Sequence, residues 1–266
     1  MTYDEIVQML RAADIENSDG EARLLIEEIG KSDISLDRDY NDGRLLEALQ
    51  KRLTGYPLQY ILGKWWLANC EFFVNEHCLI PRPDTECAIE EAVKLLPRGA
   101  NFADLCTGSG CIAISILDLR PDTRADAYEL FSETLALAVK NAEHNGVSDR
   151  FCGICGDVLQ KDALGDKEYA AIISNPPYIR RGVVPTLSKE VHFEPCAALD
   201  GGEDGLDFYR AIVKNFATNL RDGGAFIFEI GYDQANDLKA IACNNGFDCR
   251  IVRDLGGNDR VAVLTR

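Results

Sequence analysis

Apolar residues recur at helical spacing through the N-terminal part of the chain: Ile6, Val7, Leu10 and Ala13, then Leu24, Leu25 and Ile29, then Leu45, Leu46, Leu49 and Leu53. Stripes of this period predict amphipathic helices with one buried face. Thr2 with Glu5, and Ser18 with Glu21, have the spacing of a capping box, in which a hydroxyl and a carboxylate satisfy orphan N–H groups at a helix start. Residues 1–70 therefore read as a small helical bundle. After Gly55-Tyr56-Pro57 the texture changes: Glu71 to Val74 and Cys78 to Ile80 flank the polar Asn75-Glu76-His77, which predicts a β-hairpin linker over 71–87. From Ala88 onward, strand-like runs alternate with helix-period stretches. The strands are expected at Phe102–Leu105, Ala125–Tyr128, Phe151–Cys155, Ala170–Ser174 and Ala225–Ile230. The helices are expected around Ile112–Leu119, Thr134–Asn145 and Phe208–Leu220. Such alternation predicts parallel strands with crossover helices, an α/β doubly wound sheet over 88–266. Phe247–Val252 and Arg260–Leu264, joined through Gly256-Gly257, read as a closing hairpin.

Hydrophobic residues make up 46% of the 266 positions and charged residues 27%, ordinary globular usage that excludes wholesale disorder, a collagen-like repeat and a coiled-coil rod. The longest nearly uninterrupted apolar stretch, Cys111 to Leu117, is far short of the ~20 residues a bilayer-spanning helix needs. The acidic start Met1-Thr2-Tyr3-Asp4-Glu5 has neither the basic nor the apolar region of a leader peptide, and the expected location is the cytoplasm. With 28 basic and 44 acidic residues, the net charge is -16 and no run of four or more basic residues occurs. Stable binding to a polyanion is therefore not expected. The 10 cysteines are too sparse for a disulfide scaffold and are expected to be mostly small buried thiols. Cys152 and Cys155 form a CxxC, but strand residues three apart face opposite ways, so no metal site is expected there or at His77, His144 and His192.

Chemistry enters with the loop Asp104-Leu105-Cys106-Thr107-Gly108-Ser109-Gly110, which follows the first strand of the sheet and opens a helix. Glycines let the backbone approach a ligand closely, and ligands of open α/β sheets bind beyond the carboxyl ends of the strands. About twenty residues on, at the end of the second strand, Glu129 occupies the position where an acid accepts hydrogen bonds from a ribose diol. The pair points to a nucleoside, with both NAD and S-adenosylmethionine fitting. Asp157, followed by Val158 just beyond the third strand, is placed at the same ligand, either accepting from an adenine amine or capping a helix.

Asn175-Pro176-Pro177-Tyr178 ends the strand Ala170–Ser174 and so lies at the same sheet edge as the glycine loop. Two consecutive prolines stiffen the turn and hold Asn175 and Pro176 away from the helical region. The Asn175 carboxamide oxygen and the Pro176 carbonyl are then two acceptors aimed at one spot, which suits an –NH2 group. A planar nitrogen is a poor nucleophile because its lone pair is delocalised. Gripping its N–H bonds turns that pair toward an electrophilic methyl and stabilises the charge developing on nitrogen. Tyr178 can offer its ring face to that charge or to a sulfonium, a cation–π contact worth on the order of 1 kcal/mol. Nothing in this motif serves hydride transfer, which favours S-adenosylmethionine over NAD.

The sequence resembles the peptide chain release factor N5-glutamine methyltransferases over nearly its whole length. The resemblance is carried by Gly55-Tyr56-Pro57-Leu58-Gln59-Tyr60, Leu79-Ile80-Pro81-Arg82-Pro83-Asp84-Thr85-Glu86, Asp104 to Gly110, Ser174 to Ile179, Phe193-Glu194-Pro195, Gly201-Gly202-Glu203-Asp204-Gly205-Leu206 and Asn258-Asp259-Arg260-Val261. It implies a seven-stranded Rossmann-like methyltransferase sheet, S-adenosyl-L-methionine as donor and S-adenosyl-L-homocysteine as product. It implies as substrate the glutamine of the Gly-Gly-Gln loop of release factors, with the N-terminal domain helping to hold that partner, and it puts Arg82 and Glu194 beside Asn175, Pro176, Pro177 and Tyr178 on the substrate side. Two departures stand out: Cys106 replaces a common loop glycine, and Glu129 a commoner Asp. The segment Glu194 to Leu206 reads either as a lid over the amide or as a surface loop. The main rival is a methyltransferase for an exocyclic amine of an RNA or DNA base, whose nitrogen is equally planar; the acidic balance counts against it. A protein that holds a nucleoside or a partner without reacting is the other rival, against which the intact Asn-Pro-Pro-Tyr turn counts.

Overall fold

The structure is a computed structural model describing residues 1–35 and 38–266. Among the described residues, four α-helices open the chain, α1 (Tyr3–Ala12), α2 (Ser18–Leu24), α3 (Gly43–Leu53) and α4 (Leu58–Leu62), with a π-helical turn over Leu25–Ile29 continuing α2. The α1 capping box forms as expected, with Thr2 N donating to Glu5 Oε2 at 2.8 Å and Glu5 N to Thr2 Oγ1 at 3.3 Å. Ile6, Leu10, Leu25, Ile26, Leu45 and Leu49 share one buried cluster, so the stripes meet as a bundle. The second expected capping box does not form. Ser18 lies inside α2 and its hydroxyl donates to Ile15 O, while the Glu21 carboxylate accepts from Arg52 Nη2 at 2.9 Å. A buried guanidinium needs a charged partner more than a helix start needs a cap, since an unpaired buried charge costs several kcal/mol. Arg52, 4% exposed, also reaches Glu190 Oε2 at 3.2 Å and ties the bundle to a distant segment of the chain.

A short antiparallel hairpin follows, β1 (Lys64–Leu67) and β2 (Cys70–Phe73), turning at Ala68 with φ 49°. This corrects the expected hairpin over 71–87: Cys78 to Ile80 is not a strand, and the Asn75 side chain instead caps a turn by accepting from His77 N at 3.0 Å. Leu67, Cys70, Phe72, Val74, Cys78 and Ile80 bury in the cluster on one face of the main sheet. The hairpin is thus part of the sheet's packing and does not hang free between two bodies.

The remaining elements are α5 (Glu86–Leu95), β3 (Asn101–Leu105), α6 (Cys111–Leu119), β4 (Arg124–Glu129), α7 (Ser132–His144), β5 (Phe151–Cys155) and β6 (Tyr169–Ser174). After them come α8 (Asp207–Phe216), β7 (Leu220–Glu229), α9 (Ala235–Asn244), β8 (Asp248–Arg253) and β9 (Asp259–Thr265). The seven strands lie in the order β5-β4-β3-β6-β7-β9-β8; β9 is antiparallel to β7 and β8, and the other neighbours are parallel. Side chains alternate faces along each strand. Ala225 and Ile227 therefore join α5, α6 and α7 on one face, and Phe226 and Phe228 join α8 and α9 on the other. The chain steps outward from β3 through β4 to β5, then returns to build the other half from β6. The β3–β6 boundary is thus a topological switch point, where crossovers diverge and a crevice opens beyond the carboxyl ends.

The expected burial of the cysteines holds for Cys70 and Cys78, whereas Cys152, Cys155, Cys196 and Cys243 are exposed. Cys152 and Cys155 sit on β5, an edge strand, which lacks a neighbour on one side to cover them.

Candidate active site

A cavity of about 330 Å³ opens at the switch point. Cys106, Thr107 and Gly108 from the loop after β3, Glu129 from the end of β4, Asp157 and Val158 after β5, and Asn175 and Pro177 after β6 all line it. Arg82 closes another side. Residues distant in sequence meet here because parallel strands deliver all their carboxyl ends to one edge.

The loop after β3 is held from below. Asp104 is fully buried and does not line the cavity; its Oδ2 accepts from Thr107 Oγ1 at 2.6 Å and from Ala113 N at 3.2 Å. Burial pushes its carboxyl up to about 7 against the pull of those two donors. Cys106, Gly108 and Gly110 adopt left-handed φ values of 58°, 58° and 83°. Cys106 thus accepts the conformation a glycine would take freely, at a cost of order 1 kcal/mol for a residue with a Cβ. Gly110 has a packing role, since a Cβ there would stand 2.8 Å from Ile114 Cδ1 and 3.3 Å from Ala138 Cβ. Leu105 is likewise core, and its carbonyl accepts from Ser174 Oγ at 2.6 Å, which ties the loop to the turn after β6.

Glu129 is 8% exposed; Oε2 accepts from Gly108 N at 3.0 Å and Oε1 from Leu130 N at 2.9 Å and Phe131 N at 3.2 Å. A carboxylate offers about four acceptor positions, so one remains for a ligand. Leu130 and Leu159 line the cavity while 52% and 42% exposed, two apolar side chains left at its rim. Asp157 accepts from Leu159 N at 2.9 Å and Gln160 Nε2 at 3.1 Å, capping a turn and not a helix.

At the Asn-Pro-Pro-Tyr turn, Asn175 Nδ2 donates to Thr85 Oγ1 at 3.5 Å, leaving its carboxamide oxygen for the cavity. Pro176 is buried and does not line the cavity, so of the two acceptors expected here the carboxamide is the one on the wall. Tyr178 also departs from expectation. Its hydroxyl donates to Glu229 Oε1 at 3.3 Å and its ring packs on the core beneath, away from the lining. Glu194 is 5% exposed and off the lining; its carboxylate pairs with Arg82 and accepts from Ile80 N at 3.0 Å. It anchors Pro195 to Ala198, which do line the cavity, against residues 80–82.

The segment beyond Glu194 is neither a free lid nor a surface loop. Gly201 N donates to Ile179 O at 2.9 Å, Arg181 N to Gly202 O at 2.8 Å and Ile179 N to Leu199 O at 3.0 Å, strapping it along the Asn-Pro-Pro-Tyr turn. Sequence reasoning also missed Asn141. Buried in α7, it accepts from Phe73 N at 2.7 Å and donates to Phe73 O at 3.0 Å and Ser109 O at 2.8 Å, joining hairpin, helix and glycine loop. The available signal was a polar residue inside the apolar stripe Leu137, Ala138, Ala142.

A parallel sheet with a glycine loop, an acid and an Asn-Pro-Pro-Tyr turn around its switch point defines a Rossmann-like methyltransferase. The comparisons agree and go further. Residues 89–191 match the methyltransferase small domain and residues 2–63 the PrmC N-terminal domain. A release factor glutamine methyltransferase of Geobacter sulfurreducens is 40% identical over 79% of this chain and 74% of that protein, and one of Salmonella typhimurium is 34% identical over 97% and 95%. Among solved structures, a methyltransferase from Pyrococcus furiosus superposes with a TM-score of 0.56 at 16% identity, covering 84% of this chain and 95% of that one, a likeness of fold. The chain belongs to the release factor glutamine methyltransferase family. None of the helices among the described residues is long and apolar enough to cross a membrane.

Proposed function

We propose that the protein transfers the methyl group of S-adenosyl-L-methionine to the side-chain amide nitrogen of the glutamine in the Gly-Gly-Gln loop of peptide chain release factors. The observation that carries this reading is the Asn175 carboxamide standing on the same cavity wall system as the left-handed loop Cys106–Gly108. The residues fit such a donor. The volume suits a nucleoside-sized ligand, Glu129 keeps an acceptor position for a ribose diol, and the apolar side chains of Leu130 and Leu159 at the rim suit the faces of a purine. Bound there, the cofactor supplies a sulfonium-activated methyl.

The chain's own residues do the rest. Asn175 Oδ1 accepts an N–H of the substrate carboxamide, turns the nitrogen lone pair toward the methyl and stabilises the positive charge that grows on nitrogen. As the N–C bond forms the S–C bond breaks, and the alkylated amide, being acidic, gives its surplus proton to water without a dedicated base. Tyr178 and the Ser174–Leu105 bond hold the turn in place. Arg82, neutralised by Glu194, flanks the entrance on the substrate side. The net charge of -16 favours encounter with a basic partner such as a protein that works against ribosomal RNA.

Incubating the protein with S-adenosylmethionine and purified release factors, then mapping methyl groups by peptide mass spectrometry, tests this directly. A single added methyl on the Gly-Gly-Gln peptide is expected; methylation of an RNA or DNA base, with the peptide untouched, sinks the assignment. Glu129→Gln, which keeps the side-chain shape, is expected to weaken cofactor binding by about tenfold, the worth of a charge-assisted hydrogen bond. Unchanged affinity in titration calorimetry removes Glu129 from the ribose.

A further inference from the structure

Between Glu190 and Leu199 the chain belongs to no strand and no α-helix. It runs through the short 3-10 turns Val191–Phe193 and Cys196–Ala198, yet Pro195 to Ala198 line the same cavity as Asn175. With neither a sheet ladder nor a long helix to place it, such a segment takes its position from what it is bonded to. Its far end is strapped to the Asn-Pro-Pro-Tyr turn through Leu199, Gly201 and Gly202, and its middle is held by Glu194 on Arg82 and Ile80 N. Its near end is held by the N-terminal bundle. Arg52 Nη2 donates to Glu190 Oε2 at 3.2 Å, and the Tyr56 ring meets Phe193 edge-on with centroids 5.2 Å apart.

Arg52 is buried in α3 and commits nearly all of its guanidinium donors. Nε and Nη2 grip the Glu21 carboxylate at 2.5 and 2.9 Å, Nη1 donates to Tyr56 O at 3.3 Å, and Nη2 also reaches Glu190. One carboxylate neutralises a buried guanidinium, and Glu21 supplies it in the two-pronged geometry that suits Arg. The second, on Glu190, has a side chain 38% exposed and adds surplus negative charge, so its contribution to stability is small. What it adds is a fixed separation between α3 and the segment that walls the cavity.

We propose that Arg52 and Glu190 are positioning residues for methyl transfer: the guanidinium, fixed in the bundle by Glu21, sets through Glu190 the place of the Pro195–Ala198 wall, so the N-terminal bundle helps to build the amide site. The inference rests on the reading that this cavity holds the substrate carboxamide beside Asn175. A misplacement of about 1 Å around reacting groups costs up to about 10²-fold in rate. A wall loosened at one anchor therefore slows transfer while the cofactor, assigned to Cys106 to Gly108 and Glu129 at other strand ends, is still gripped.

Methyl transfer to a purified release factor is measured for wild type, Glu190→Ala, Glu190→Gln, Arg52→Lys and the Arg52→Lys, Glu190→Ala double variant, with S-adenosylhomocysteine affinity and Tm measured alongside. Glu190→Ala is expected to lower kcat about tenfold, with KM for the release factor and the cofactor-product affinity within about threefold of wild type. Its Tm stays within about 3 °C, because Arg52 keeps Glu21 as its partner. Glu190→Gln, whose amide oxygen still accepts from Nη2, restores kcat to within about threefold. Arg52→Lys keeps the charge but loses the fork and is expected to be about as slow as Glu190→Ala; the double variant is no slower than the slower single one, because both break one link. A Glu190→Ala enzyme with wild-type kcat, a loss seen only as a raised KM for the release factor, or a loss of cofactor-product affinity or Tm in step with kcat overturns the proposal. So does a Glu190→Gln enzyme as slow as Glu190→Ala, or a double variant slowed by the product of the single effects. A wild-type protein that leaves the release factor unmethylated overturns instead the substrate assignment on which the proposal rests.

Discussion

Asn175→Ala is expected to lower kcat by about 10²–10³, the usual loss when a preorganised polar group aimed at developing charge is removed. Cofactor affinity is expected to stay within severalfold of wild type, because the residues assigned to the cofactor, Cys106 to Gly108 and Glu129, are held by partners other than Asn175. Glu129 is fixed by three backbone N–H groups, and the loop by Asp104 beneath it. The turn itself survives the substitution, since Pro176 and Pro177 restrict it and the strap from Leu199 to Gly202 bonds to Ile179 and Arg181. Turnover with a release factor and calorimetry with S-adenosylhomocysteine separate the two effects. Equal losses of rate and cofactor affinity would mean that Asn175 supports the cofactor and not the substrate amide.

Much of this site was legible in the sequence because its parts lie at strand ends. β3, β4, β6 and the last half of β7 are covered on both faces, so they read as short apolar runs, and the residues just past each run were the natural candidates. What sequence could not supply is which way a side chain points after the chain turns. Tyr178 was expected to face a cation and instead faces Glu229, because the turn after two prolines sends it back under the sheet. Glu229 itself reads as the last polar residue of an apolar strand, and only the β6–β7 register makes it a neighbour of Asn175. The hairpin is hard to place from sequence for a different reason. Lys64-Trp65-Trp66-Leu67 lacks alternation, and its turn at Ala68 lacks the Gly or Asn-Gly that usually announces one. Helices α5 and α9 carry readable apolar spacings, Ala88-Ile89-Ala92 and Leu238-Ile241-Ala242, but their alanines give a weak stripe.

The second large effect is expected at Gly205. Its φ of +79° is a left-handed conformation, and a Cβ there would stand 2.4 Å from the main-chain carbonyl oxygen of Tyr178 and 2.9 Å from Gln234 Nε2. That amide already donates to Tyr178 O at 3.0 Å and Gly205 O at 3.2 Å, so neither neighbour can withdraw without breaking a buried hydrogen bond. Gly205→Ala therefore adds overpacking against backbone, about 1–3 kcal/mol, to a left-handed penalty of about 1–2 kcal/mol. For a chain of this size the sum lowers Tm by roughly 5–15 °C. Because the clash lands on Tyr178, the Asn-Pro-Pro-Tyr turn must move, and kcat is expected to fall with the stability. Gly146→Ala is the matched control. Gly146 has φ +69° but nothing within 4 Å of its Cβ position, so it bears the backbone penalty alone and keeps wild-type turnover. A Gly205→Ala protein that melts and turns over like Gly146→Ala would show that residues 201–206 do not brace the turn, and the strap would revert to an ordinary surface connection.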